Sequence, residues 1–105
     1  MIEYFKKLFG GAASSNVNDL LSNGAVILDV RTAKEFRTGH IAGSINIPLD
    51  ELSKNIARIK KDRPIVTCCA SGVRSSIARN ILIRSGFVEV YNGGGFAGLQ
   101  KRLHK

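Results

Sequence analysis

The feature that most constrains this chain is an alternation of short β-branched runs with segments of helical periodicity. "AVILDV" (25–30), "SINIP" (44–48), "RPIVTCC" (63–69) and "FVEVY" (87–91) read as strands. Between them, "TAKEFRTGH" gives one or two helical turns closed by Gly39. "LDELSKNIARIKKD" (49–62) places Leu49, Leu52, Ile56 and Ile59 on one helical face, and "VRSSIARNILIRSG" (73–86) does so with Ile77, Ala78, Ile81 and Leu82. A short helix over 16–24 precedes the first strand; a "NGGGF" turn and a last helix over 96–104 follow the fourth. Strands separated by helices need crossover connections. The expectation is a three-layer α/β/α domain around a mainly parallel sheet. In such a sheet, ligands sit beyond the carboxyl ends of the strands, where residues 69–74 fall.

The 105 residues fit one compact domain, assigned to 16–105, with an N-terminal segment and "GGAASS" linker over 1–15. "MIEYFKKLFG" is too short and too interrupted by charge for a signal peptide. Ile2, Phe5, Leu8 and Phe9 share one helical face, the pattern of a helix docking on the domain. No apolar run is long enough for membrane insertion. Net charge is +8, which attracts anions, but no nucleic-acid-binding motif accompanies the scattered basic residues, and nucleic acid is not expected as a partner. Neighbouring cysteines, with Cα atoms about 3.8 Å apart, cannot form an unstrained bridge. Without a CxxC or a Cys/His cluster, no metal site is expected. Two free thiols suit a reducing compartment, so the expected location is cytoplasmic.

Chemistry concentrates in "TCCASGVRSS" (67–76). A strand runs into a short loop and the loop into a helix whose first N–H groups lack intrahelical partners. Those amides and the helix dipole favour an anion. Gly72 permits the tight turn, Ser71 adds a hydroxyl, and Arg74 adds a planar cationic fork. A thiolate at the start of this cradle is itself an anion. A free thiol is only about 3% ionised at pH 7; a depression of about 2 units would make it mostly thiolate. Strand neighbours point to opposite faces, so only one cysteine can occupy the cradle. Counted from Cys69 the loop is C-x4-R, tight enough for one sulfur atom. Counted from Cys68 it is C-x5-R, the spacing of a cysteine phosphatase.

The sequence resembles the rhodanese (sulfurtransferase) domain family. The likeness lies in "LDVRTAKEFRTGHIAGSINIP" (28–48), "PIVTCCASGVRS" (64–75) and "NGGGFAGL" (92–99), and covers about residues 16–103. The resemblance implies a rhodanese-like sheet of four to five strands; no clear first strand precedes residue 16, so that sheet edge is either shorter or completed by the N-terminal segment. Measured from Pro64, it implies that the nucleophile is Cys69. It implies no cofactor. The implied chemistry takes sulfur from thiosulfate or a similar small anion onto Cys69 as a persulfide, then passes it to cyanide or a thiol. Residues Ala70, Ser71, Gly72, Val73 and Arg74 would bind substrate, and Asp29 and Arg31 would brace the loop. Ala70 stands where the family often has a large or basic residue, which weakens one substrate contact. A persulfide carrier taking sulfur from a protein partner is the alternative. Leu99 stands where Trp is frequent. His40 is expected to be a hydrogen-bonded turn residue, His104 tail, and Glu35 a partner in a surface or loop-bracing ion pair.

Overall fold

The computed structural model describes residues 17–103. The expected N-terminal linker and docking helix, and His104, lie outside the described residues. The element order is α1 (Val17–Ser22), β1 (Val26–Asp29), α2 (Ala33–Thr38), β2 (Ile45–Asn46), two 3₁₀ segments (Leu49–Glu51 and Ser53–Arg58), β3 (Ile65–Cys69), α3 (Val73–Arg84), β4 (Val90–Gly95) and α4 (Phe96–Leu103). Four parallel strands form one sheet in the order β2-β1-β3-β4.

Strand alternation splits the core in two. Leu28, Ile65 and Cys69 point to the face covered by Leu52 and Ile59 and by Ala78 and Leu82 of α3. Ile27, Val66 and Cys68 point to the opposite face, under Val17 of α1 and Leu99 of α4. Helical layers on both sides of a parallel sheet make the three-layer α/β/α architecture.

Three expectations are corrected. The segment 49–62 is not one α-helix. Its backbone makes i→i+3 bonds at Leu49–Leu52, Leu52–Asn55 and Ile56–Ile59, and Asn55 (φ −117°, ψ 17°) breaks the path. The 3-4-3 spacing nevertheless points Leu52 and Ile59 inward, because a three-residue turn brings residues at i and i+3 into line. In α3, Ile77 is 45% exposed, and the buried stripe is Ser75, Ala78 and Leu82.

The fourth strand begins at Val90 rather than Phe87, and it includes the glycines expected to turn. Glycine is disfavoured in strands, yet this one passes too close to its neighbours for side chains. A Cβ on Gly93 would stand 2.7 Å from the Thr67 carbonyl oxygen, and one on Gly95 would stand 2.7 Å from that of Ala70. The register steps from Thr67↔Asn92 to Cys69↔Gly95, which leaves an extra residue on β4. This bulge lets β4 follow the 69–74 loop beyond the sheet.

Candidate active site

The candidate site lies at the carboxyl end of β3, a central strand, where the chain turns into α3. Gly72 takes φ +103°, a left-handed conformation that an L-residue occupies only under strain. That turn reverses the loop, so that the Gly72 N–H donates to Cys69 Sγ at 2.9 Å. The Cys69 sulfur also lies 3.5 Å from the Ser75 hydroxyl oxygen. Burial is the largest influence on this thiol and opposes its ionisation. The Ser75 hydroxyl and the amides of Ser75, Gly72 and Ser71 together outweigh it, and the thiol titrates below its ordinary value.

Cys68 has the opposite environment. It packs with Val17, Ile27, Ile41, Val66 and Leu99. Burial pushes its thiol up to about 12, and Asp29 adds to the effect. Neither cysteine has exposed surface, so exposure does not separate them; the donors around each sulfur do.

The remaining site residues form a supporting frame. The Arg74 guanidinium makes a two-pronged ion pair with Glu35, at 2.8 and 3.0 Å, which ties α3 to α2. Glu35 also accepts from the Thr32 N–H, while the Thr32 hydroxyl accepts from the Glu35 N–H, a reciprocal cap on α2. Arg74 first, and the Thr32 amide second, hold the Glu35 carboxyl down to about 2.

Asp29 and Arg31 pair with each other, the closest contact being 2.8 Å. Arg31 also donates to the Gly39 carbonyl at 2.7 Å and lies 4.4 Å from the Phe96 ring centroid. Their hydrogen bonds thus hold the end of β1 against the 39–40 turn rather than the 69–74 loop. His40 bonds the Phe36 carbonyl through Nδ1 at 2.8 Å and stacks on the Phe36 ring. Ala70 and Ser71 are exposed, and Val73 is 66% exposed.

Ser75 at the sulfur, and Asn92 behind it, carry no motif of their own in the sequence. Ser75 is the last letter of the "CASGVRS" stretch. Asn92, which accepts from the Ser75 hydroxyl at 2.7 Å, sits in the glycine run that reads as a turn. A groove of ≈ 610 Å³ lined by Leu21, Ile27, Ile41 and Leu103 also opens on the molecule, but no residue of the 69–74 loop lines it. Among the described residues, no three His, Cys, Asp or Glu side chains come together to hold a metal ion.

A parallel α/β domain with a thiol facing loop amides at a strand end defines a class of anion-cradle thiol proteins. Within that class the chain belongs to the rhodanese-like domain family, whose model matches residues 14–101. It is 37% identical over 89 residues to the thiosulfate sulfurtransferase GlpE of Pseudomonas aeruginosa, covering 84% of this chain and 81% of that one. It is 42% identical over 73 residues to the uncharacterised Bacillus subtilis protein YqhL, covering 69% of this chain but only 58% of the relative. An Escherichia coli rhodanese structure with anions superposes with a TM-score of 0.66 at 33% identity, over 70% of this chain and 89% of that one. The human single-domain sulfurtransferase superposes with a TM-score of 0.71 at 26% identity, over 86% and 91%.

Proposed function

We propose that the protein is a sulfurtransferase in which Cys69 is the nucleophile. The Cys69 thiolate attacks the outer sulfur of thiosulfate, or of a similar sulfane donor. A bond forms between the two sulfurs, the S–S bond of thiosulfate breaks, and sulfite leaves with the electron pair. Cys69 then carries a persulfide, whose negative charge the amides of residues 70–74 and the Ser75 hydroxyl stabilise. Cyanide or a thiolate attacks the outer sulfur in turn and releases the Cys69 thiolate, a double-displacement cycle. The observation that carries this reading is the Gly72 N–H at 2.9 Å from the Cys69 sulfur, which is where a developing or resting anion needs a donor. Arg74, held by Glu35, braces the loop and presents positive charge to the donor.

A second reading has the sulfur arriving on a protein persulfide rather than on thiosulfate. Ala70 brings no charge to the exposed loop, and both terminal nitrogens of Arg74 are on Glu35, which favours a partner that docks by shape over a free anion. Phosphatase chemistry through Cys68 fits poorly, because that thiol is pushed up to about 12 beneath apolar side chains. Two free thiols are consistent with a reducing, cytoplasmic setting. Among the described residues, no helix is long and apolar enough to cross a membrane.

The test is thiosulfate:cyanide turnover followed by thiocyanate formation, run beside sulfur uptake from a persulfidated protein donor. Parallel-line kinetics that disappear in Cys69→Ser and persist in Cys68→Ser are expected. Turnover surviving in Cys69→Ser would overturn the assignment. Uptake from the protein donor with negligible thiosulfate turnover would select the second reading.

A further inference from the structure

We propose that Asn92 is a positioning residue for the Cys69 thiolate: its side-chain oxygen draws the Ser75 proton away from the sulfur and so sets how readily the thiol ionises. This rests on the reading of Cys69 as nucleophile. The Ser75 hydroxyl is fully buried and has one proton. Three acceptors compete for it: the Asn92 Oδ1 at 2.7 Å, the Gly72 carbonyl at 3.0 Å and the Cys69 sulfur at 3.5 Å. The Asn92 contact has the usual length of a good O–H···O bond.

Asn92 cannot turn its amide nitrogen toward Ser75 without cost, because the Gly94 N–H donates to the same Oδ1 at 2.9 Å. The Ser75 backbone is pinned too, since the Thr67 hydroxyl donates to its carbonyl at 2.9 Å. With the thiol protonated, S–H donates to Ser75, Ser75 donates to Asn92, and every group is satisfied. Ionisation removes the first donor, and the hydroxyl can join the Gly72 N–H in serving the sulfur only by leaving Asn92. Asn92 stays satisfied by Gly94, so the rotation strands no buried polar group. Asn92 is thus the competitor that the thiolate must outbid for one proton.

The other charged or titratable groups around the sulfur are accounted for by element. They are Cys68 on β3, Arg74 on α3 with its Glu35 partner on α2, the Asp29–Arg31 pair at the end of β1, and Arg102 on α4, which donates to the Gly93 carbonyl at 3.0 Å. On β4 the titratable group is Tyr91, whose hydroxyl bonds Glu89. Their ion pairs and hydrogen bonds named here run to one another or to backbone groups.

The experiment follows the thiolate by its ultraviolet absorbance across pH, where Cys68, pushed up to about 12, stays silent. Asn92→Ala should lower the Cys69 midpoint by about half a unit, roughly a threefold gain in thiolate below the midpoint. Asn92→Asp, nearly isosteric and a stronger acceptor, should raise it. The Asn92→Ala shift should largely vanish in a Ser75→Ala background, because Asn92 acts through that hydroxyl, whereas the Asn92→Asp shift should persist in part through its added negative charge. An Asn92→Ala midpoint that does not move, or that moves equally without Ser75, would overturn the proposal. The titration needs no sulfur donor, so failure of sulfur transfer with these shifts intact would count against the proposed function alone.

Discussion

Gly72 joins backbone strain to sulfur chemistry, so its replacement by alanine separates the two. An added Cβ would meet only the Gly94 Cα at 3.8 Å, an ordinary contact, so Gly72→Ala creates no clash. What it costs is conformational: at φ +103°, an L-residue is strained by roughly 1–2 kcal/mol. For a domain of this size that lowers Tm by about 4–8 °C per kcal/mol. Relaxing toward negative φ also swings the Gly72 N–H away from the sulfur it reaches at 2.9 Å. A hydrogen bond to a charged group contributes about 1.5–3 kcal/mol, so the Cys69 midpoint should rise by about 1–2 units.

Gly43→Ala is the matched control: φ is +83°, nothing lies within 4 Å of its added Cβ, and it sits in the turn before β2. Thermal melts should show similar losses for the two variants, while ultraviolet thiolate titration should show a raised midpoint only for Gly72→Ala. The sign of the pH effect follows from the lowered Cys69 value. Stability contributed by the folded thiolate is fully present above the unfolded thiol pKa and fades as pH falls through the folded one. Gly72→Ala should flatten that slope. Equal thiol midpoints in the two variants would refute the idea that the loop amides hold the sulfur as an anion.

Glu35→Gln should keep the α2 cap, since glutamine can still accept from Thr32, but lose the ion pair to Arg74. The pair is about one-third exposed, so the loss in chemical denaturation should be only about 0.3–1 kcal/mol, while KM for thiosulfate should change if Arg74 presents charge to the donor. Because Glu35 is held down to about 2, its contribution is present above about pH 4.3 and lost as pH falls from there toward 2; an acid melt of Glu35→Gln should lack that component. Gly93→Ala would drive a Cβ to 2.7 Å from the Thr67 carbonyl and 2.8 Å from Val66, and should cost about 1–3 kcal/mol in a denaturant titration.

Much of the architecture was legible because burial imposes period. The runs at 25–30 and 63–69 read as strands, and alternation in "TCC" separated the two cysteines onto opposite faces, as Cys68 beneath Leu99 and Cys69 beside Ala78 show. What escaped the sequence were features set by close contact. The glycines of β4 read as a turn because their role is to let Thr67 and Ala70 carbonyls approach, which no propensity encodes. Ile77 read as core because its spacing matched, while Ser75 took the buried place for the sake of its hydrogen bonds. The partner of Arg74 lies 39 residues away, at Glu35, a distance that only the fold closes.

Sulfur transfer by this route requires that one cysteine alone carry the sulfur. Intact-mass measurement after thiosulfate treatment of the wild type, Cys68→Ser and Cys69→Ser reads this directly. One added sulfur atom on wild type and on Cys68→Ser, and none on Cys69→Ser, is the expected result. Sulfur retained on Cys69→Ser and absent from Cys68→Ser would contradict it.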